Sequence, residues 1–348
     1  MKGKLIWFIS LTAGLVLLMS LVVVVLDPFF HFHAPLKKYY YRLDDERSQS
    51  IGVARFFDYD AVITGTSLVR DFKTSRMKEL FGVKAVKLPI SGATWHETAM
   101  LLRASYESGH SVDMVLRSLD VNHLVEKSDA VRRDLGEFPD YLYDDNIWND
   151  ARYVCNRDVL LRYCLPMMGR RLKGGRGGHT SFDMYDLTSL APGNVLEGRN
   201  GFYKPDSVAA FSEEDERLLA EDLDANVLSL ADEHPETEFF YYLPPYNIAW
   251  WGGLIEEGQA ERMRGILTHT IPELLSRDNI NVYCFDDRYE LTTDLSFYAD
   301  EYHYVPSVAD DILAWIKAGE GKLTADNWED KLEDIFSFYT GYDYAGLF

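Results

Sequence analysis

The chain has 348 residues and a formal net charge of −21, with 56 acidic side chains against 35 basic ones. That balance excludes a nucleic-acid-binding protein and argues against an anionic-membrane surface, because phosphates are held by Lys and Arg in excess. Cys155, Cys164 and Cys284 make neither a disulfide framework nor a metal-ligand spacing, although a Cys155–Cys164 bridge is open to a chain outside the cell.

Lys2 and Lys4 precede an uncharged apolar run from Leu5 to Leu26. At the helical rise the run spans roughly 33 Å, enough for a bilayer core. It ends in Asp27-Pro28-Phe29 without a small-x-small cleavage site, so residues 1–30 read as an uncleaved anchor. Lysines before the span and few after it put the N-terminus inside the cell. The rest, 31–348, is then an extracytoplasmic domain of a single-pass membrane protein.

After the anchor the pattern alternates. AVITG from Ala61 reads as a strand, Thr74 to Phe81 as a short helix ended by Gly82, KAVKLPI as a strand, Thr94 to Ser108 as a helix, and VDMVLRSLDV as a third strand. Strands separated by helices of this length form parallel βαβ units. From about 205 the alternation resumes. Ser212 caps an acidic helix, TEFFYYLPPYN is a strand running into prolines, Glu256 to Ser276 is helical, NINVYCF is a strand, and helices follow Pro306 and Asn327. The stretch from about 126 to 205 breaks the rhythm and reads as an insertion. Its glycine-rich GRRLKGGRGGHTS lacks a Walker lysine and spaced glycines, which favours a mobile segment or lid over a phosphate loop.

In an open parallel sheet the ligand crevice lies beyond the carboxyl ends of the strands. Gly65-Thr66-Ser67 follows the first strand, Ser91-Gly92 the second, and Asp120 and Asn122 the third; near the C-terminus Asp300 and His303 stand three apart before Pro306. This set supplies the parts of a serine acyl-transfer site. A Ser67 hydroxyl needs a base, His303 is one, and Asp300 is close enough to hold its tautomer. The backbone N–H groups of Ser67 and Gly92 and the amide of Asn122 are candidates for the oxyanion hole. Tyr246, Trp250 and Asp120 are candidates for substrate binding, since aromatic rings at a cleft stack on sugars. For Ser67 the plain alternative is a helix cap.

These blocks resemble those of the SGNH, or GDSL-like, hydrolases. Gly65-Thr66-Ser67 matches the nucleophile block, Gly92 in PISGATW the oxyanion glycine, and Asp300-Glu301-Tyr302-His303 the terminal Asp-x-x-His. The third block, usually Gly-x-Asn-Asp, is here Ser118-Leu119-Asp120-Val121-Asn122. The resemblance implies a flavodoxin-like three-layer α/β/α fold with a parallel central sheet and a Ser-His-Asp acyl-enzyme mechanism without metal or cofactor. The anchor, the VLDPFFHFH exit and the GTS and DEYHY blocks look like anchored Gram-positive SGNH-like proteins, similar to accessory proteins that O-acetylate exported polysaccharide or add D-alanine to teichoic acid. What that implies is an esterase or O-acyltransferase acting on a cell-envelope glycan or an acylated small molecule, alongside a membrane-bound acyl-donor partner. The competing expectation is a non-catalytic envelope protein of the same fold that binds a glycan or a partner in polymer assembly.

Overall fold

The computed structural model describes residues 2–120, 125–184, 194–196, 199 and 201–347. They form two compact units, one from Met1–Asp58 with Gly136–Ser181, the other from Tyr59–Leu135 with Phe182–Phe348.

The second unit is built on five strands, β1 (Ala61–Gly65), β2 (Ala85–Pro89), β3 (Met114–Ser118), β4 (Glu238–Leu243) and β5 (Ile280–Cys284). They pair in the order β2-β1-β3-β4-β5, every pair parallel. This is the flavodoxin-like order, in which the direction of winding reverses between β1 and β3 and opens a crevice there. Every residue of β1, β2 and β3 is buried, as a sheet covered on both faces requires. Two strand residues carry charge into that interior, and each is satisfied. Arg117 donates to the carbonyls of Asn226 (2.9 Å) and Trp95 (3.0 Å), and Lys87 to the carbonyl of Phe72 (2.8 Å).

The expected helices form where local chemistry starts and stops them. Thr94 and Glu97 make a capping box for Trp95–Glu107, Ser212 and Asp215 another for Glu213–Leu223, and Gly82 in the left-handed region ends Thr74–Phe81. One helix differs from expectation. Between β4 and the helix expected from Glu256 lies a separate helix, Ile248–Glu256, capped by Asn247, which accepts from the N–H groups of Ala249 and Trp250. IAWWGGL is apolar on every side because the helix is buried, so it shows no amphipathic period.

In the first unit, Lys2–Leu26 is one helix, long and apolar enough to cross a membrane. It stops at Asp27, a non-glycine residue with φ +41°, whose carboxylate accepts the N–H groups of His31 (3.0 Å), Phe32 (2.7 Å) and His33 (3.0 Å) and the hydroxyl of Tyr153 (2.8 Å). In the segment expected as a glycine-rich lid, Gly178–His179 pairs in parallel with Tyr40–Tyr41 of the same unit. Cys155, Cys164 and Cys284 are all free thiols, so the Cys155–Cys164 bridge is absent.

Asp286, just beyond β5, is buried and accepts the backbone N–H of Tyr246 (3.1 Å) and the indole N–H of Trp251 (3.2 Å). Burial pushes its carboxyl up to about 8. An unfolded Asp releases its proton near pH 4, so between about pH 4 and 8 the folded chain binds more protons and stability falls as pH rises. We expect Asp286→Asn to flatten that dependence by roughly 1 kcal/mol per pH unit across the window. Urea unfolding at pH 5, 6 and 7 measures it, and parallel curves for the two proteins would exclude a protonated Asp286.

Candidate active site

The turn after β1 sets the position of Ser67. Gly65 has φ +144°, and a Cβ there would stand 2.2 Å from Ser118 Oγ, so only glycine lets β1 end against β3 at this point. The next residue, Thr66, caps the short 3-10 turn Ser67–Val69 by accepting the N–H of Leu68 (3.4 Å). The capping role expected as the alternative for Ser67 therefore belongs to its neighbour.

The Ser67 hydroxyl is used differently. Its Oγ lies 2.7 Å from His303 Nε2, and His303 Nδ1 lies 2.8 Å and 2.9 Å from the two oxygens of Asp300. The carboxylate accepts, so Nδ1 carries the proton and Nε2 is left as the acceptor for the serine O–H. Asp300 also accepts the N–H groups of Tyr302 and His303, each at 2.8 Å. Burial works to raise its pKa, but the hydrogen bond and charge of His303, with those two N–H groups, hold the carboxyl below the usual range.

Two residues beyond the expected set fix this loop. Asn247, fully buried, donates its amide to the carbonyls of Asp300 (3.2 Å) and Glu301 (2.9 Å). Tyr304, the residue after the imidazole, donates its hydroxyl to the carbonyl of Leu68 (2.8 Å), the residue after the serine. Asn247 carried a sequence signal as the N-cap of a buried helix; Tyr304 carried none.

Ser67, Leu68, Gly92, Asp120, Arg132, Tyr246, Tyr302 and His303 line a cleft of about 350 Å³. Gly92 sits at φ +61°, and a Cβ on it would meet Leu135 at 2.7 Å. Among the described residues no carbonyl accepts from the N–H of Ser67 or Gly92. Asn122, the third expected donor, lies outside the described residues. Of the expected substrate-binding residues, Tyr246 and Asp120 both border the cleft, and the Tyr246 hydroxyl donates to Asp120 (2.8 Å). Trp250 does not. It is 5% exposed, stacked on Tyr246 with ring centroids 4.0 Å apart, because it lies on the buried helix Ile248–Glu256. Arg132 and Tyr302 were missed. Arg132 is held by Asp134 through two 2.6 Å contacts and reaches the Gly92 carbonyl at 3.4 Å.

No family model and no curated protein matches the chain. Among solved structures it is similar to one described as "a putative platelet activating factor from Streptococcus pneumonia", at 12% identity over 82% of this chain and 91% of that one, with a TM-score of 0.39. A likeness of that degree carries no inference about this chain's reaction.

Gly65→Ala is expected to destabilise the fold by about 2–4 kcal/mol, the sum of a positive φ on a residue with a Cβ and the clash with Ser118. A lowered urea midpoint with an unchanged slope is the readout. A midpoint equal to the parent's would show that the turn relaxes freely.

Proposed function

We propose that the chain is a serine esterase or O-acyltransferase of SGNH type, anchored through residues 5–26 with its main domain outside the cell, acting on an acylated cell-envelope or exported polysaccharide. One observation carries the reading. The Ser67 hydroxyl meets an imidazole nitrogen at 2.7 Å while the other nitrogen is held by a carboxylate, at the carboxyl ends of a parallel sheet. A structural histidine has no need of both contacts.

In the mechanism, His303 Nε2 takes the proton of Ser67 as Oγ bonds to the ester carbonyl carbon. The carbonyl electrons move onto oxygen, toward the N–H groups of Ser67 and Gly92. The intermediate collapses, the alkoxide leaves with the proton from Nε2, and Ser67 holds the acyl group. An incoming hydroxyl then gives its proton to Nε2, bonds to the acyl carbon and expels Oγ, which recovers the proton. Water as acceptor makes an esterase; a sugar hydroxyl makes a transferase, with a membrane-bound partner supplying the acyl donor.

Labelling the full chain with a serine-reactive fluorophosphonate tests this. Label is expected on the wild type, lost in Ser67→Ala, and slowed at least ~100-fold in His303→Ala and Asp300→Asn. Equal labelling of Ser67→Ala would put the reactive serine elsewhere. No labelling of a folded wild type that still binds glycan would favour the non-catalytic binding protein.

A further inference from the structure

A different site lies in the first unit. Met1–Asp58 and Gly136–Ser181 hold 14 Lys and Arg against 11 Asp and Glu, whereas the rest of the chain holds 21 against 45. The net −21 of the whole is therefore +3 in one unit and −24 in the other. The whole-chain charge argues against an anionic surface, but it averages over two units of opposite sign.

The cations of the first unit are gathered. Between Arg157 and Arg176 six basic residues accompany one acid, Asp158. Arg42, Arg162, Arg170 and Lys173, with Tyr40 and Tyr163, line a cavity of about 560 Å³ whose described lining holds no carboxylate, while Asp44 and Asp45 stand behind Tyr163 and Arg162. Ring faces steady two of the guanidinium groups: Arg170 stands 4.1 Å from the Tyr40 centroid and Arg42 5.4 Å from that of Tyr163. Arg42 also pairs with Asp44 at 2.5 Å, and both groups are exposed, so an incoming anion competes at little cost.

The cavity is pinned to the end of the apolar helix. Pro28, two residues past Leu26, belongs to its wall. Val23 and Leu26 are buried, Ser20 Oγ lies 3.4 Å from Cys155 Sγ, and the Phe29 ring stacks on Tyr153 at 5.3 Å. If Lys2–Leu26 crosses the hydrocarbon core, the cavity stands where lipid phosphates begin.

The helical run Arg157–Leu172 carries an apolar stripe that no described residue covers. Leu161, Leu165, Met168 and Leu172 recur at helical spacing and are exposed, Leu172 by 86%, while Val159, Tyr163 and Met167 face the interior. Ile147 and Trp148 of the same unit are 73% and 84% exposed. A helix with a buried face, an exposed apolar face and cations along its side has the composition of a bilayer-interface helix.

We propose that the run Arg157–Leu172 lies in the membrane interface with its exposed leucines in the acyl boundary, and that the Arg42, Arg162, Arg170 and Lys173 cavity binds the phosphate of an anionic phospholipid. Guanidinium groups suit phosphate because they offer paired, fixed donors.

Native mass spectrometry of the full chain in mild detergent tests the cavity. Phosphatidylglycerol is expected to be retained in preference to phosphatidylcholine, and about tenfold less by the Arg42→Gln/Arg162→Gln/Arg170→Gln/Lys173→Gln protein than by the parent. A variant with lysine at the three arginine positions should keep most of the lipid. Equal retention by parent and glutamine variant overturns the site, as does displacement of the lipid by millimolar inorganic phosphate, which would mark it as a free-phosphate site. For the stripe, a fluorophore on Leu172→Cys in a Cys155→Ser background is read in lipid nanodiscs. Bromines on the acyl chains are expected to quench it and iodide to lose access relative to detergent. Unchanged iodide quenching in nanodiscs overturns the interface assignment and leaves the stripe to a protein partner.

Discussion

The hydrogen bond from the Tyr304 hydroxyl to the Leu68 carbonyl joins segments 236 residues apart and lies in the buried interior. On one side of it stands Ser67, on the other His303. A contact across so long a stretch of chain costs considerable loop-closure entropy, so a single serine–histidine bond would not hold the two together by itself. Tyr304 is supported in turn by the Tyr242 hydroxyl of β4 at 3.2 Å, which ties the terminal loop to the sheet. Burial raises the Tyr304 pKa far above the ordinary phenol, so the hydroxyl keeps its proton and stays a donor. The Asn247 amide fixes the other end of the loop at Asp300 and Glu301. With both ends held, the imidazole has little room to turn away from the serine.

Local sequence signals carried the frame of this arrangement further than its lining. Strands β1, β2 and β3 were readable because both faces are buried, which leaves continuous apolar runs between turn residues. Ser67, Asp300 and His303 were readable because chemistry-bearing residues that follow strands in a parallel sheet converge on one edge. What periodicity cannot reveal is a helix without a polar face. Ile248–Glu256 is such a helix, and missing it turned Trp250 from a packed residue into an apparent cleft aromatic. Arg132 belongs to irregular backbone, where spacing says nothing about which way a side chain turns. The long-range contact of Tyr304 likewise leaves no local trace.

Average charge proved a poor guide for a related reason. A total of −21 describes neither unit, since basic and acidic residues are segregated along the chain. Four of the first unit's cations line a cavity at the end of an apolar helix, where the proposed lipid phosphates would favour basic over neutral or acidic side chains. The acidic second unit needs no such affinity, and its own repulsion from anionic lipid would favour solubility.

The cleft shows how charge is managed around Ser67. Asp300 is ionised, and Asp120 adds a second carboxyl group beside the serine. Negative charge there opposes an oxyanion. The Tyr246 hydroxyl offsets part of it by donating to Asp120 at 2.8 Å, whereas the Arg132 guanidinium in the same cleft has its charge met by Asp134. In the proposed reaction the positive charge that His303 acquires in the first step faces Asp300 at bonding distance, so the imidazolium is stabilised where it forms, while the developing oxygen charge relies on the N–H groups of Ser67 and Gly92.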